Sequence, residues 1–163
     1  LQRKEKLKNS NSNMAVLITE YTDINATMRG IRTQVIDSLD YCVNKMPTFQ
    51  DPEQMFNTLR NLVTYKNDPE GIELLQSVPT LMDENFWGVS GSGDCDCFSI
   101  LILSMCCAHN WNEQEIVLAG RNKIAPVHIW TRVKWRGSWY EMDLTQKYFN
   151  TCRNYKYKQF LKV

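Results

Sequence analysis

The chain has 163 residues, 43% of them hydrophobic and 23% charged, which suffices for one domain with a proper core and not for a second independent one. Its formal net charge of +1 argues against a dedicated polyanion binder, so nucleic acid is not an expected partner. No stretch approaches the ~20 apolar residues of a membrane span, and the basic start Leu1-Gln2-Arg3-Lys4-Glu5-Lys6-Leu7-Lys8 lacks the apolar run of a signal peptide, so the expectation is a soluble, cytoplasmic protein with no membrane partner.

Residues 1 to 13 are Lys, Asn and Ser with almost nothing apolar, which reads as a flexible basic tail before a single domain over 14–163. Leu1 in place of Met marks either a processed start or a boundary. From Ile24 to Val43 apolar residues recur at Ile24, Met28, Ile31, Val35, Leu39 and Val43, one stripe of a helix that Pro47 ends. Asp51-Pro52 supplies an N-cap and first-turn proline for a second helix, with Met55, Phe56, Leu59, Leu62 and Val63 on its buried face. Asn67-Asp68-Pro69-Glu70-Gly71 is a turn. The stretch from there to Gly93 reads as irregular, rich in Gly and Ser.

Gly93-Asp94-Cys95-Asp96-Cys97-Phe98-Ser99 then runs into Ile100-Leu101-Ile102-Leu103-Ser104-Met105. The spacing predicts a central buried helix with Asp94 as N-cap, Cys95 as its first residue and Asn110 in the left-handed terminating position. Unsatisfied N–H groups and the positive dipole end at such a start favour thiolate over thiol, making Cys95 a candidate nucleophile. Beyond it, Glu115 to Ala119, Pro126 to Trp135 and Ser138 to Leu144 read as strands, with Arg136-Gly137 as a hairpin connection. The fold class is α+β, helices packed on a small antiparallel sheet. The tail from Lys147 to Val163 interleaves Tyr148, Phe149, Tyr155, Tyr157 and Phe160 with basic residues, and is expected as a terminal strand laid against the domain.

Six cysteines at 42, 95, 97, 106, 107 and 152 lack the density of a stapled secreted scaffold and fit a reducing compartment. A zinc cluster of Cys95, Cys97, Cys106, Cys107 and His109 fails on geometry, because those positions spread over ~15 Å of one helix. No metal or other cofactor is expected. Cys42, Cys106 and Cys107 read as small buried hydrophobes, and His109 as structural.

If Arg136-Gly137 is a two-residue turn, Trp135 pairs with Ser138 and Trp130 faces Asp143. His128 then lies on the same sheet face, diagonal to Asp143 and within side-chain reach. A one-residue slip would send the two to opposite faces. The register also sets Arg132 against Glu141 as a charge pair, and Ile129, Thr131 and Val133 against Leu144, Met142 and Tyr140. Cysteine, histidine and aspartate in this order can form a thiol triad: His takes the Cys proton and Asp orients the His.

These segments, Gly93-Asp94-Cys95-Asp96, then His128-Ile129-Trp130, then Trp139-Tyr140-Glu141-Met142-Asp143, resemble the transglutaminase-like superfamily of papain-type cysteine enzymes. Upstream, Val63-Thr64-Tyr65-Lys66-Asn67-Asp68-Pro69 and Glu73-Leu74-Leu75-Gln76-Ser77-Val78-Pro79 are similar to the stretch preceding the cysteine in small bacterial and phage-encoded members. The resemblance covers roughly residues 50 to 146 and implies a papain/transglutaminase-like core with the catalytic triad Cys95, His128 and Asp143. Cys97 departs from the family pattern, standing where a second aspartate is usual. An Asp there could return a hydrogen bond to the cap backbone, and a thiol does this poorly. Simple replacement is preferred to a reversible disulfide with Cys95, which would be strained.

The expected chemistry is that of a cysteine peptidase or amidase acting on a protein or peptide substrate through a thioester. The Cys95 backbone N–H is the natural first oxyanion donor, with Gln76, Trp87 and Trp130 as candidates for the second. Transglutaminase-type cross-linking is the alternative, since the motif does not decide what resolves the acyl-enzyme. A different class of reading keeps the fold as a virion or assembly binding module, with phage structural proteins as partners, incorporation in a phage particle, and the two termini as docking segments.

Overall fold

Helix α1 (Ile24–Lys45) stops two residues before Pro47, and its buried residues include Met28, Ile31, Gln34, Val35, Ser38 and Cys42. The stripe predicted through Leu39 and Val43 is therefore rotated: Val43 is 62% exposed, while Ser38 and Cys42 point inward. Ser38 can be buried because its hydroxyl donates to the Gln34 carbonyl and accepts the Val78 N–H at 2.8 Å. A satisfied polar side chain sits where an apolar pattern has no reason to look. Helix α2 (Pro52–Leu62) starts as expected, with the Asp51 carboxylate accepting from Gln54 N–H at 2.8 Å. Met55, Phe56 and Leu59 are buried and Leu62 is exposed.

The structure, a computed structural model, describes residues 16–19, 24–123 and 126–163. The basic tail expected over residues 1 to 13 lies outside them. Strand β1 (Val16–Thr19) pairs antiparallel with β3 (Glu73–Gln76), and β2 (Thr64–Tyr65) pairs parallel with β4 (Ser92–Gly93). Between β3 and β4 lie two single turns of helix, α3 (Val78–Leu81) and α4 (Glu84–Trp87). The segment read as irregular is thus built of short pieces, each held by pairing with distant chain. Gly91 shows why: with φ +78, a Cβ on it would lie 1.9 Å from the Leu62 carbonyl oxygen. Only glycine lets the two backbones meet there, so that Thr64 N–H reaches the Gly91 carbonyl at 3.0 Å.

Helix α5 (Cys95–Ala108) is buried without interruption from Asp96 to Cys106 and packs on α1, β3 and the main sheet. Asn110 ends it with φ 56. That sheet has the order β7-β6-β5-β8, from β5 (Gln114–Gly120), β6 (Pro126–Trp135), β7 (Ser138–Met142) and β8 (Tyr157–Lys162), all antiparallel. The architecture is α+β, and the C-terminal segment lies along β5 as a terminal strand. Among the described residues no helix is long and apolar enough to cross a membrane.

The hairpin has the predicted register: Trp135 pairs with Ser138, Arg132 with Glu141 and Thr131 with Met142. Two details differ. Strand β7 ends at Met142 instead of Leu144, because Asp143 leaves the ladder to form a turn in which Gln146 N–H bonds the Asp143 carbonyl. Arg132 pairs with Glu115 on β5, at 2.8 and 2.6 Å, instead of Glu141. A central strand has two neighbours, and the guanidinium lies between the rings of Trp139 and Phe160, aimed at β5.

Candidate active site

Cys95 is the first residue of α5 and half-buried, packed against the cluster that includes Met28, Leu118 and Ile129. Asp94 occupies the N-cap position, yet its side chain makes no cap hydrogen bond. Cys97 is tied to the chain beside it, its thiol donating to the Leu74 carbonyl at 3.0 Å. The departure from the aspartate pattern therefore ties the helix start to β3, and Cys95 and Cys97 are both free thiols. Gly93 makes room for this arrangement, since a Cβ there would lie 2.8 Å from the Cys97 Cβ.

From the hairpin, His128 Nε2 lies 2.8 Å from Asp143 Oδ2, with the two side chains 10% and 1% exposed. Asp143 also accepts Thr145 N–H at 3.0 Å, Thr145 Oγ1 at 2.6 Å and Gln146 Nε2 at 3.1 Å. These donors fix the orientation of the carboxylate toward His128. The bond to Asp143 engages Nε2 of His128 and leaves Nδ1 as the ring nitrogen not committed to that carboxylate. The imidazole stacks on Trp130 at 5.5 Å and on Tyr155 at 5.8 Å, at interplanar angles near 30°. The backbone N–H of Ile129, next in chain to His128, favours the charged form of Cys95. Cys95 and His128 line the same cavity, of about 610 Å³.

The electrostatics differ from the expectation of a thiolate. Burial pushes the Cys95 thiol up to about 12, and Asp94, Glu73 and Asp143 add to it, outweighing the Ile129 N–H that opposes them. The helix start supplies N–H groups, but acids crowd it. Asp68, Glu73, Asp94 and Asp96 all line the cavity. Burial and the Asp94 charge raise Asp68 to about 7, and burial raises Glu73 and Asp96, which share a hydrogen bond. Asp94, Asp96 and Cys97 bring ligand atoms within 4.8 Å of one another, although the Cys97 sulfur is already engaged with backbone.

The candidate oxyanion donors are not gathered at the thiol. Gln76 is fully buried and its Nε2 donates to the Ser92 carbonyl at 3.2 Å. The Trp130 indole N–H goes to the Glu141 carboxylate. The side chain of Trp87 lies outside the described residues. His109 is structural: its Nε2 accepts Phe49 N–H at 2.8 Å and its ring stacks on Phe49. The sequence also reads as a turn capped by Asp143 before Thr145, and Thr145 is its partner; the sequence reading missed Gln146 as a second one, Tyr155 as a third ring beside His128 and Trp130, and the acids from β3 and the preceding turn. Asp143-x-Thr145 carries the signature of a side-chain-capped turn. Nothing local ties Tyr155 to His128.

Neither a family model nor a curated protein matches the chain. A crystal structure described as that of a TGase aligns over 91% of this chain with a TM-score of 0.37 and 17% identity. This chain spans 37% of the length of that protein.

Proposed function

We propose that the protein is a thiol-dependent amide hydrolase, a cysteine peptidase or amidase of the transglutaminase-like type, with Cys95 as nucleophile, His128 as base and Asp143 as the acid that orients it. The observation that carries this reading is that His128, hydrogen-bonded to Asp143, lines one cavity with a thiol at a helix start. Cys95 is neutral at rest, so its proton moves to His128 Nδ1 as the sulfur bonds the carbonyl carbon. The imidazolium returns that proton to the departing amine as the C–N bond breaks, leaving a thioester. Water then gives a proton to Nδ1 and its oxygen to the acyl carbon, and the thiol is regenerated as the carboxylic acid leaves. The Cys95 backbone N–H, at a helix position with no intrahelical partner, is the proposed oxyanion donor.

Transglutamination would need an unprotonated amine at the thioester. The acids beside Cys95 favour an ammonium, which has no lone pair to attack with, and this supports water as the second reactant. Incubation with a mixed peptide library and an isotope-labelled primary amine, read by mass spectrometry, tests the choice. Cleaved or deamidated peptides that disappear in Cys95→Ser are expected, with little amine incorporated. Amine incorporation exceeding hydrolysis would make the protein a cross-linker, and the absence of any Cys95-dependent product would remove the enzymatic reading.

A further inference from the structure

The cavity beside Cys95 is lined by the acidic side chains of Asp68, Glu70, Glu73, Asp94 and Asp96, with no Lys or Arg among the described residues to balance them. Asp96 is 2% exposed, and Asp94 Oδ1 and Asp96 Oδ1 are buried oxygens with no hydrogen-bond partner. Buried acceptors are ordinarily satisfied, and outside the contacts that Asp96 makes with Glu73 and Asp94 within the cluster, the described residues supply no donor to these two oxygens. Met28, Leu118 and Ile129 give the same cavity an apolar side, suited to methylene groups that carry a charged head. At about 610 Å³ the space admits a long side chain.

We propose that this cavity is the subsite for a cationic side chain, so that the amide attacked by Cys95 lies beside a lysine or arginine residue of a peptide substrate. This deepens the thiol reading and rests on it. An organic cation suits the site better than a metal ion, because the Cys97 sulfur, the third potential ligand, is already bonded to the Leu74 carbonyl. A bound cation also offsets the mutual repulsion of the acids, and it weakens the field by which Asp94 and Glu73 disfavour the Cys95 thiolate. Recognition and activation of the thiol are thereby coupled through one charge.

Peptidyl chloromethyl ketones bearing lysine, norleucine or glutamate next to the ketone test this, with the alkylation rate at Cys95 read by peptide mapping. The lysine reagent should react about tenfold faster than norleucine, as expected for one well-placed ion pair, and glutamate slowest. The lysine-to-norleucine ratio should fall in Asp68→Asn and at high salt. Equal rates for all three would overturn the cationic subsite while leaving the thiol reading intact. Alkylation of Cys95 by none of them, or at rates unchanged by His128→Ala, would instead remove the thiol reading. Titration with agmatine, which involves no thiol chemistry, should give saturable binding lost at high salt. No agmatine binding, with calcium taken up by the same carboxylates, would overturn the proposal in favour of a metal site.

Discussion

Asp143 is nearly inaccessible to water and accepts hydrogen bonds from His128 on β6 and from Thr145 and Gln146 in the turn that it begins. Replacing it by Asn keeps the shape and removes the charge that stabilises an imidazolium. Asp143→Asn should retain measurable hydrolysis while Cys95→Ser and His128→Ala lose nearly all of it, measured on any peptide found to be cleaved. Equal activity of Asp143→Asn and the parent would take Asp143 out of the mechanism. Cys95 itself was expected to be an acidic thiol, and its surroundings reverse that. With the thiol pushed up to about 12 by burial and by Asp94, its alkylation by iodoacetamide should keep rising with pH through ~pH 9. A plateau in the range ~3.5–7.5 would mark a preformed thiolate–imidazolium pair. Sequence shows the helix start that favours the thiolate; it does not show that Glu73 and Asp143 fold against that start.

The hairpin of β6 and β7 sets the geometry of the candidate site, and it was legible because a two-residue turn and alternating side chains leave one register that buries Thr131 and Val133. The turn residues Arg136 and Gly137 have φ 49 and 87, the left-handed pair of a type I′ turn. Glycine adopts this freely and arginine does not, at a penalty of roughly 1 kcal/mol. Arg136→Gly should raise the urea midpoint without changing the slope, and a loss of stability would mean that the Arg136 stack on Trp135 outweighs the backbone term. The helices were legible to different degrees. In α5 nearly every side is apolar and capped by residues of known preference, so its start fell on Cys95. In α1 the buried Ser38 made the stripe read toward Val43, and the short elements between Thr64 and Gly93 owe their existence to partners far away in the chain.

At the scale of the whole molecule, α5 and the sheet present the thiol and the imidazole to one cavity, while β3 and the turn before it bring acids to its other wall. These acids oppose folding where they are ionised. Asp68 is raised to about 7 from an ordinary value of 3.8, so the folded state holds its proton more tightly than the unfolded chain. Stability linked to Asp68 is therefore greatest below about pH 4 and declines as pH rises toward 7. Asp68→Asn, which can still accept the Leu74 N–H bond now made to the carboxylate, should raise Tm at pH 8 and do little at pH 4. A gain of the same size at both pH values would show that the acid is not under this strain. The trade is the one expected where charge is gathered for binding and not for stability.

The central claim is that Cys95, activated by His128, takes an acyl group from an amide. Its most direct measurement is the intact mass of the protein, acid-quenched during reaction with a mixed peptide library. A transient acyl adduct is expected that maps to Cys95, is released by hydroxylamine as a thioester is, and is absent in His128→Ala. An adduct on another cysteine, or one on Cys95 that forms equally without His128, would contradict it.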